Sequence, residues 1–531
     1  MNAPIYKDYI IIGAGPAGVQ LGYYLEKSGQ DYIIFERGES SGETFKFFPR
    51  HRTLISINKR FTGHSHPDFN MRHDWNSLLC DDNSISFRDY DTEFFPHADS
   101  MVSYINDYTQ KFNINVLYNI DITTVEKNER NLYVLHDSEG RSYVTRTLIV
   151  ATGFIKPLIP EIPGIEMADV YPEMSVDRSL YENKRVLVIG KGNSGFETAD
   201  HLVSSASLIH VASPNPLKMA WKTHYVGHLR AVNNNLLDTY QLKSQNAVLD
   251  VDISDIKKTD DGRLAVTVNY AHAENEVEVL YYDKVLLCTG FRFDQSIFDD
   301  SCRPETTINN KYPKITSSFE SVNNPNMFFM GTITHSLDYK KATSGFIHGF
   351  RYNARALFKM LNQRYNQVPL PRISIENSDQ ALLENMLDRI NHADGIWQQP
   401  GFLADVFLIN DENIDHICEL PMPYIMDNFK RSKYYVLTLE YGAPIEGDPF
   451  NVERIHRENI DKSNQSQFLH PVIRFYDGEK LISQHDIIED LEANWTDPEH
   501  IIPLQKYIDE NGYVKKISET TGEEMLIDEA I

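Results

Sequence analysis

The apolar positions of the chain repeat one plan at two places: a short strand, a glycine turn and a helix. The first copy begins in YIIIGAGPAG (9–18), where residues 10–12 form the continuous apolar run of a strand covered on both faces. A helix over about residues 16–27 follows, and DYIIFE (31–36) predicts the next strand. The second copy begins in VLVIGKGNSG (186–195), with a helix predicted over about 194–204 and the strand LIHVA (208–212) after it.

Two further apolar segments are near-copies of each other and predict the strand that closes each copy. They are LIVATGF (148–154) and VLLCTGF (285–291). Beyond them, MFFMGTITHS (327–336) predicts another strand followed by Gly331, and SGFIHGFRYNARALFKML (344–361) predicts a helix that starts near Gly345. The simplest assembly is one nucleotide-binding domain that is interrupted by a second.

The predicted fold class is therefore α/β, with two Rossmann-like dinucleotide-binding domains and a C-terminal α+β extension. An FAD-binding domain is expected over residues 1–160 and 291–365, with an NAD(P)H-binding domain inserted at 161–290. Residues 366–531 are expected to form the extension, with strands in YYVLTLEYG (434–442) and PVIRFYDGEKLI (471–482). No catalytic motif is seen there, and His470 and Asp486 are interpreted as structural.

The first glycine turn matches the spacing G-x-G-x-x-G at Gly13, Gly15 and Gly18. The first glycine permits the tight turn, the second lets a pyrophosphate approach the backbone, and the third lets the helix pack on the strand. The N-terminal amides of the helix then face the phosphates. Glu36 ends the second strand, 23 residues after Gly13, where an acid accepts the ribose hydroxyls.

The second turn repeats the spacing at Gly190, Gly192 and Gly195, but Ser213 stands where the acid is expected. A serine tolerates a 2′-phosphate that a carboxylate would repel, so NADPH is favoured over NADH. The alternative is that Ser213 only caps a turn before Pro214. The tightly bound dinucleotide is expected to be FAD, because hydride from a nicotinamide needs a second carrier.

Composition narrows the classes of partner. The 531 residues suggest about three domains, and 51 basic against 76 acidic residues give a net charge of −25, which disfavours nucleic acid. No apolar run reaches the roughly 18 residues of a membrane span. None of the four cysteines forms C-x-x-C and no secretory leader is recognised, so a cytoplasmic location is expected. The spacing of His64, His66 and His73 predicts no metal site.

Several segments resemble the flavin-dependent, class B type monooxygenases with two dinucleotide-binding domains. They are GAGPAG, ATGF, KRVLVIGKGNSG and FPHADSMVSYINDYTQKF, within roughly residues 5–360. Other segments extend over the whole chain and resemble a family of FAD-dependent oxidoreductases of the endoplasmic reticulum: HRTLISINKRFTG, RHDWNSLL, THYVGHLRAVNNNLLDTYQLKS, SGFIHGFRYNARAL and FLHPVI. The lumenal signals of that family are not recognised, so a free-standing enzyme is expected.

The resemblance also implies roles for single residues. Asn58 corresponds to an asparagine that sits over the flavin, and Thr44 and Phe45 correspond to residues that line FAD. Tyr171 stands in place of the histidine of the Phe-x-Gly-x-x-x-His fingerprint, which argues against Baeyer–Villiger chemistry of the usual kind. His348, in the first turn of a helix expected to face the flavin, is interpreted as a charge-stabilising or proton-relaying group, or as a core histidine.

The candidate catalytic residues are Asn58 and His348. The candidate cofactor-binding residues are Gly13, Gly15, Gly18, Glu36, Arg37, Thr44, Phe45, Arg50, Thr152, Gly153, Gly190, Gly192, Asn193, Ser194, Gly195, Ser213, Gly331 and Gly345. Arg50 belongs to a basic cluster at 50–52 that either holds a phosphate or an acidic substrate or is a solvated loop.

Three functions stay open. The resemblance implies a monooxygenase in which NADPH reduces FAD and one oxygen atom of O2 passes to a small metabolite through a flavin C4a-hydroperoxide. An amine nitrogen or a sulfur is favoured as the acceptor, and a ketone is allowed. The alternatives are an NADPH-dependent reductase of a disulfide or other acceptor, and a flavin-bearing protein that binds a partner. The expected partners are a small-molecule substrate and O2, and a homo-oligomer is compatible with the sequence.

Overall fold

The structure of the protein is a computed structural model that describes residues 4–82, 84–242, 245–448 and 450–512. It divides into two compact units. The first unit holds the described chain up to Leu370 together with Asp394–Phe402 and Pro444–Glu453. The second unit holds Pro371–Ala393, Leu403–Ala443 and the described residues from Arg454 onward.

Helices are distributed along both units. In chain order they are α1 (Pro16–Lys27), α2 (Thr44–Phe47), α3 (Pro67–Met71), α4 (Ala98–Lys111), α5 (Asn193–Leu202), α6 (Ala220–Thr223), α7 (Asn235–Gln241), α8 (Ile347–Asn366), α9 (Asp379–His392), α10 (Gly395–Gln398), α11 (Met422–Asn428) and α12 (Pro498–Asn511). Short 3₁₀ segments occupy Phe87–Asp89, Ile165–Met167, Arg178–Tyr181, Ala231–Asn233, Gly331–Ser336 and Ile460–Gln465.

The strands are β1 (Ile5–Ile12), β2 (Tyr32–Phe35), β3 (Val116–Leu117), β4 (Ile122–Lys127), β5 (Tyr133–Asp137), β6 (Ser142–Val150), β7 (Lys156–Pro157), β8 (Asp169–Val170), β9 (Arg185–Ile189), β10 (Leu208–Ser213), β11 (Ala247–Asp250), β12 (Asp252–Lys258), β13 (Leu264–Tyr270), β14 (Glu276–Tyr282), β15 (Lys284–Leu287), β16 (Phe291–Arg292), β17 (Thr306–Thr307), β18 (Tyr312–Pro313), β19 (Met327–Phe329), β20 (Ile373–Glu376), β21 (Leu403–Ile409), β22 (Asn413–Pro421), β23 (Lys433–Glu440), β24 (His470–Asp477) and β25 (Lys480–Asp486).

The first sheet has the strand order β3-β2-β1-β6-β5-β4, and β19 pairs with β6. The strands β3, β2, β1, β6 and β19 are parallel to one another, whereas β5 pairs antiparallel with both β6 and β4. The carboxyl half of β1 and of β6 is fully buried, which explains their continuous apolar runs. The carboxyl ends of the parallel strands meet at one edge, and this edge carries the first glycine turn.

The second sheet is parallel throughout, with the order β11-β10-β9-β15-β8. All of its strands lie in sequence between β6 and β19 of the first sheet, so the second sheet is an insertion into the first. An antiparallel meander of β12, β13 and β14 leads back into β15, as β4 and β5 lead into β6. The predicted fold class, with two Rossmann-like parts and a C-terminal extension, is confirmed.

The second unit is built around an antiparallel sheet with the order β20-β22-β21-β23-β24-β25. The helices α9 and α12 pack against each other in this unit. The central strands β21 and β23 are buried over most of their length, so this sheet is covered on both faces. Residues in both predicted strand segments of the extension are found in β23, β24 and β25.

Over the described part of the chain, no helix is long and apolar enough to cross a membrane. The helix bounds agree closely with those expected for α1 and differ by two residues at the end of α5. The precise limits of the three domains, at 160, 290 and 365, stay a prediction.

Candidate functional site

The first glycine turn is packed so tightly that two of its glycines have no room for a side chain. A Cβ atom on Gly13, whose φ is +105°, would lie 2.7 Å from the carbonyl oxygen of Ala151, and one on Gly18 would lie 2.0 Å from the carbonyl oxygen of Gly13. By contrast, a Cβ on Gly15 would meet nothing within 4 Å among the described residues. Gly15 is also the N-cap of α1 and makes no side-chain cap, so the helix amides face open space.

The second glycine turn repeats this geometry almost atom for atom. A Cβ on Gly190 would lie 2.3 Å from the carbonyl oxygen of Cys288, and one on Gly195 would lie 2.1 Å from that of Gly190. Gly192 caps α5 and, like Gly15, would meet no described atom within 4 Å if it carried a Cβ. Two cradles of the same shape are therefore present, each with an open face where an anion can reach a helix N-terminus.

The remaining candidate residues of the first cradle lie at the carboxyl edge of the first sheet. The Glu36 carboxylate accepts hydrogen bonds from the amides of Ala14 (2.8 Å) and Gly38 (2.9 Å), which holds it beside the turn. Arg37, the next residue, is exposed. Thr152 and Gly153 follow β6 at the same edge.

Two further candidate glycines, Gly331 and Gly345, lie in close contact with other residues of the first unit. Gly331 has a φ of +84°, and a Cβ there would lie 2.8 Å from that of Ala17 on α1, so this close approach requires glycine. A Cβ on Gly345 would contact the ring of His335 at 3.4 Å.

Thr44 and Phe45 begin α2, which follows a loop that is tied to the first cradle. The Gly42 amide donates to the carbonyl of Ala14 at 2.9 Å. Thr44 is exposed and Phe45 half-buried. This bond holds the loop before α2 against the first glycine turn, and the role of Thr44 and Phe45 at the cofactor stays a prediction.

Within the described structure, Arg50 makes its hydrogen bonds to the inserted part of the first unit, which carries the second sheet, and not to the part that carries the first sheet. Its guanidinium donates to the carbonyl of Met174 at 2.7 Å, and its amide donates to the hydroxyl of Tyr171 at 3.2 Å. The Nε atom of Arg50 is buried without a partner among the described residues. The basic cluster is dispersed: Arg52 pairs with Asp99. Arg50 thus joins the two halves of the first unit.

Glu197 on α5 faces the same junction. Tyr171 donates to one of its oxygens at 3.4 Å, and the other oxygen, within the described structure, is buried without a partner. Burial raises the pKa of Glu197 to about 7. Sequence reasoning missed this group because Glu197 belongs to no motif.

At the second cradle, Asn193 holds a neighbouring segment in place. Its Oδ1 accepts from the amide of Arg230 at 2.9 Å, and its Nδ2 donates to the carbonyl of His228 at 2.9 Å. Ser194, next in the chain, accepts a hydrogen bond from Thr198 through its carbonyl. Both predicted residues therefore lie in the first turn of α5.

Ser213 ends β10, but it does not stand alone at that edge. Its register partner on β11 is Asp250, whose carboxylate pairs with Lys191 from the second glycine turn. The Lys191 ammonium also donates to the carbonyl of Asn215 at 3.1 Å. An acid is thus present beside Ser213, supplied by the neighbouring strand, which counting along one strand does not reveal.

A cavity of about 610 Å³ opens beside Asp250. Its lining is mostly apolar and includes Trp221, Leu237 and Val248, and it also includes Asn234, whose Oδ1 is buried without a partner among the residues described. A flat aromatic base with one or two polar atoms suits such a lining.

Asn58 and His348 are linked through Trp75. The Trp75 amide donates to the carbonyl of Ile57, next to Asn58, and the Trp75 ring stacks on His348 with centroids 4.3 Å apart. The Arg230 guanidinium also lies over the Trp75 ring, 5.2 Å from its centroid. The two candidate catalytic residues therefore belong to one cluster.

The surroundings of the two candidate catalytic side chains limit what each can do: hydrogen bonds hold the Asn58 amide, and burial keeps the His348 ring neutral. The Asn58 Nδ2 donates to the carbonyls of Asp91 (2.9 Å) and Glu93 (3.2 Å), while its buried Oδ1 has no partner in the described structure. Both ring nitrogens of His348 are likewise buried without described partners. Burial, with Arg351 and Arg230 nearby, lowers the pKa of His348 well below its usual value, so the ring is neutral at pH 7.

A hydrogen-bonded chain of Tyr225, His335 and Asp338 also lies in this region. The Tyr225 hydroxyl is 2.9 Å from His335 Nε2, and Asp338 Oδ1 is 3.1 Å from His335 Nδ1. Because the Lys340 amide also donates to Nε2, that nitrogen is an acceptor and the imidazole carries its proton on Nδ1. The spacing of His335 and Asp338 was visible in the sequence, but Tyr225 comes from the inserted part.

Comparison with known proteins places this geometry in context. The family model of pyridine nucleotide-disulphide oxidoreductases matches residues 10–331. FAD-dependent oxidoreductase domain-containing protein 2 of Mus musculus is 36% identical, over 95% of this chain and 84% of that protein. The bacillithiol disulfide reductase from Staphylococcus aureus (18% identity, TM-score 0.53) covers 68% of this chain and 99% of its own. A flavin-containing monooxygenase from Stenotrophomonas maltophilia (20%, TM-score 0.52) covers 67% and 98%. At these identities the two structures show the fold alone.

The open faces of the two cradles can be tested with a matched pair of variants. Gly15→Val and Gly192→Val each place a branched side chain in space that is empty of described atoms, so both should fold. We expect Gly15→Val to lose bound FAD, and Gly192→Val to keep FAD but lose reduction by NADPH, because each blocks one pyrophosphate. Flavin absorbance and stopped-flow reduction measure the two effects, and undiminished FAD in Gly15→Val would contradict the first assignment.

The raised pKa of Glu197 predicts a pH-dependent stability. The pKa of about 7 in the folded state exceeds the ordinary 4.5, so the folded protein binds the Glu197 proton more tightly than the unfolded chain does. The resulting contribution to the free energy of unfolding is fully present below about pH 4.5 and is lost as the pH rises through 7. Above pH 7 the buried carboxylate costs about 3 kcal/mol, and Glu197→Gln should recover most of that at pH 8 and little at pH 5. Denaturant unfolding at both pH values measures this, with the exposed Glu182→Gln as the control. An equal gain at the two pH values would refute the prediction.

Proposed function

The chain belongs to the family of pyridine nucleotide-disulphide oxidoreductases, and we propose that, among its FAD-dependent members, it is an NADPH-using monooxygenase of a small metabolite. One observation carries the proposal: two complete dinucleotide cradles lie in one unit, and the cysteines of that unit include no pair suited to exchange electrons with a cofactor. FAD, when bound, supplies the two-electron chemistry that links NADPH to oxygen.

The cysteines argue against an internal disulfide step. Burial raises the pKa of Cys288 to about 12, and burial with Asp299 nearby raises that of Cys302 to about 11. Thiols in that state are poor nucleophiles at neutral pH. A reductase would therefore have to act directly on an external acceptor. Structural thiols of this kind suit the cytoplasm, where we place the protein.

The chain's own residues fit an FAD at the first cradle. The amides of α1 would bind the pyrophosphate across Gly15. Glu36, held by the amides of Ala14 and Gly38, would accept hydrogen bonds from the ribose hydroxyls with its remaining lone pairs. We assign Thr44, Phe45 and Gly331 to the flavin end. The buried polar atoms of Asn58 and His348 that lack described partners fit a polar ring system at the same place.

The N-terminus of α8 would help to hold negative charge at that end. This helix has 20 residues and no side-chain cap, so its first amides form the positive end of a macrodipole. His348 stays neutral, so it can accept or donate one hydrogen bond without adding a charge. Trp75 and Phe346 stack on the imidazole, at 4.3 and 5.7 Å between centroids, and exclude water from it.

The chain of Tyr225, His335 and Asp338 is suited to moving a proton. Asp338 accepts from Nδ1 and also from the amide of Ser344 at 3.0 Å, so it fixes the imidazole in the tautomer whose Nε2 is a base. We assign this chain the role of accepting a proton through the Tyr225 hydroxyl. Because Tyr225 comes from the inserted part, the relay is complete only when both halves are in contact.

We assign the second cradle to NADPH. Its adenosine would lie in the cavity beside Asp250, and the 2′-phosphate would meet Ser213 and Lys191. Asp250 is the group that opposes a phosphate there, and its pairing with Lys191 sets the balance between NADPH and NADH.

Cofactor preference should follow that balance. Asp250→Asn removes the competing carboxylate and releases Lys191, so we expect the ratio of kcat/KM for NADPH over NADH to rise about tenfold. Ser213→Asp adds a second carboxylate and should lower the ratio by a similar factor. Steady-state kinetics with both cofactors test the pair, and a ratio unchanged in either variant would mean that the 2′-phosphate lies elsewhere.

The oxygen chemistry is tested by the fate of electrons and of labelled O2. NADPH oxidation by the FAD-loaded protein should require O2 and place one labelled atom in an amine, sulfide or ketone substrate. Asn58→Leu should retain FAD but send a larger share of electrons to hydrogen peroxide, because the buried amide is lost.

Cys288→Ala and Cys302→Ala are the matched controls for that experiment, and both should keep the parent's coupling. Turnover without O2 on a disulfide, with no label transferred to any substrate class, would favour the reductase instead.

A further inference from the structure

Three side chains with metal-binding atoms meet on one face of the sheet in the second unit. Asp405 lies on β21, and His416 and Cys418 lie two residues apart on β22, so all three project to the same side. The carboxylate oxygen, the imidazole nitrogen and the sulfur lie within 4.8 Å of one another. Asp405 and His416 are buried, and Cys418 is half-buried.

The His416–Cys418 distance is that of two ligands in one coordination sphere, whereas the His416–Asp405 distance is that of a hydrogen bond. His416 Nε2 is 2.9 Å from Asp405 Oδ2 and 3.5 Å from Cys418 Sγ. Bond lengths of 2.0–2.3 Å in a tetrahedral zinc site place ligand atoms roughly 3.3–3.8 Å apart, so Asp405 and His416 would separate by a few tenths of an ångström on binding an ion. Asp405 and Cys418 both contact the Nε2 atom of His416, as two ligands around one ion would. In the proton relay of Tyr225, His335 and Asp338, by contrast, the two partners contact different nitrogens of the imidazole.

The backbone is shaped to bring these atoms together. The pairing of β21 with β22 shifts register between Ala404 and Val406, so Cys418 and Glu419 oppose the single residue Asp405. Glu419 has a φ of +55°, an unfavourable conformation for a residue other than glycine. The His416 ring is held flat on Phe407, with centroids 4.4 Å apart. The arrangement is therefore fixed before any ligand binds.

The charges around the cluster leave room for one more cation. Arg389 donates to Asp405 and to Glu419, so one guanidinium faces two buried carboxylates. A divalent ion bound to Cys418 as a thiolate would bring the summed formal charge of Arg389, Asp405, Glu419, Cys418 and the ion to zero. The hydrogen bond from Arg389 would orient the Asp405 carboxylate, as residues behind a metal ligand commonly do. A proton on His416 would also balance the charge, and a titration with cobalt distinguishes the proton from the metal.

We propose that Asp405, His416 and Cys418 form a binding site for a divalent transition-metal ion of the zinc class. A thiolate and an imidazole select such an ion over magnesium or calcium, and three protein ligands leave a fourth position for water or another ligand. The site lies wholly in the second unit, and its test does not depend on the proposed function.

The test is a titration of chelator-treated, full-length protein with Co²⁺. One equivalent should produce a thiolate-to-cobalt charge-transfer band, and Zn²⁺ should abolish it. Cys418→Ser should remove the band and weaken Zn²⁺ binding at least about 100-fold, beyond the 10–100-fold typical of an outer-shell change. Cys80→Ser, which changes a half-buried cysteine of the first unit, should leave both unchanged.

A second measurement uses only the parent protein and so does not depend on the folding of a variant. Alkylation of Cys418, followed by peptide mass mapping, should slow at least tenfold with equimolar Zn²⁺, while alkylation of Cys80 should not. No charge-transfer band in the parent, a band that survives Cys418→Ser, or equal alkylation rates with and without Zn²⁺ would each overturn the site. The cluster would then be balanced by the proton.

Discussion

The close contact between a helix start and the turn beneath it is the constraint on which the first unit depends. In each cradle the third glycine lies over the carbonyl of the first, at a separation that a Cβ would reduce to 2.0 or 2.1 Å. This contact sets each helix directly above the end of its strand. The open faces at Gly15 and Gly192 depend on it, and the parallel pairing of the strands places their carboxyl ends around these faces.

The insertion of the second sheet between β6 and β19 makes the two halves interdependent. Arg50 from the first half bonds the carbonyl of Met174 in the second, and Arg230 from the second bonds the carbonyl of Ile55 in the first at 3.1 Å. The Tyr225 hydroxyl reaches His335 in the same way. Because each of these contacts crosses from one half to the other, the groups that they join are held together only in the folded unit.

Several buried polar atoms without described partners lie where the cofactors are assigned. Asn58 and His348 lie at the end that we assign to the flavin, Asn234 lines the cavity beside Asp250, and Glu197 faces the junction between the two halves. Leaving such groups unsatisfied is unfavourable unless a ligand or water completes them. The basic cluster at 50–52, by contrast, is used mainly for contacts within the protein.

The sequence by itself determined the features that depend on neighbours along the chain. Glycine spacing, continuous apolar runs and helix starts are local, so the cradles, α1, α5 and the insertion of the second sheet into the first could be predicted. Only the tertiary structure decided that Asp250 stands beside Ser213, that Tyr225 meets His335, that the Asn58 amide is held by loop carbonyls, and that Asp405 joins His416 and Cys418. Each of these depends on the pairing of strands and loops distant in sequence, which periodicity does not encode.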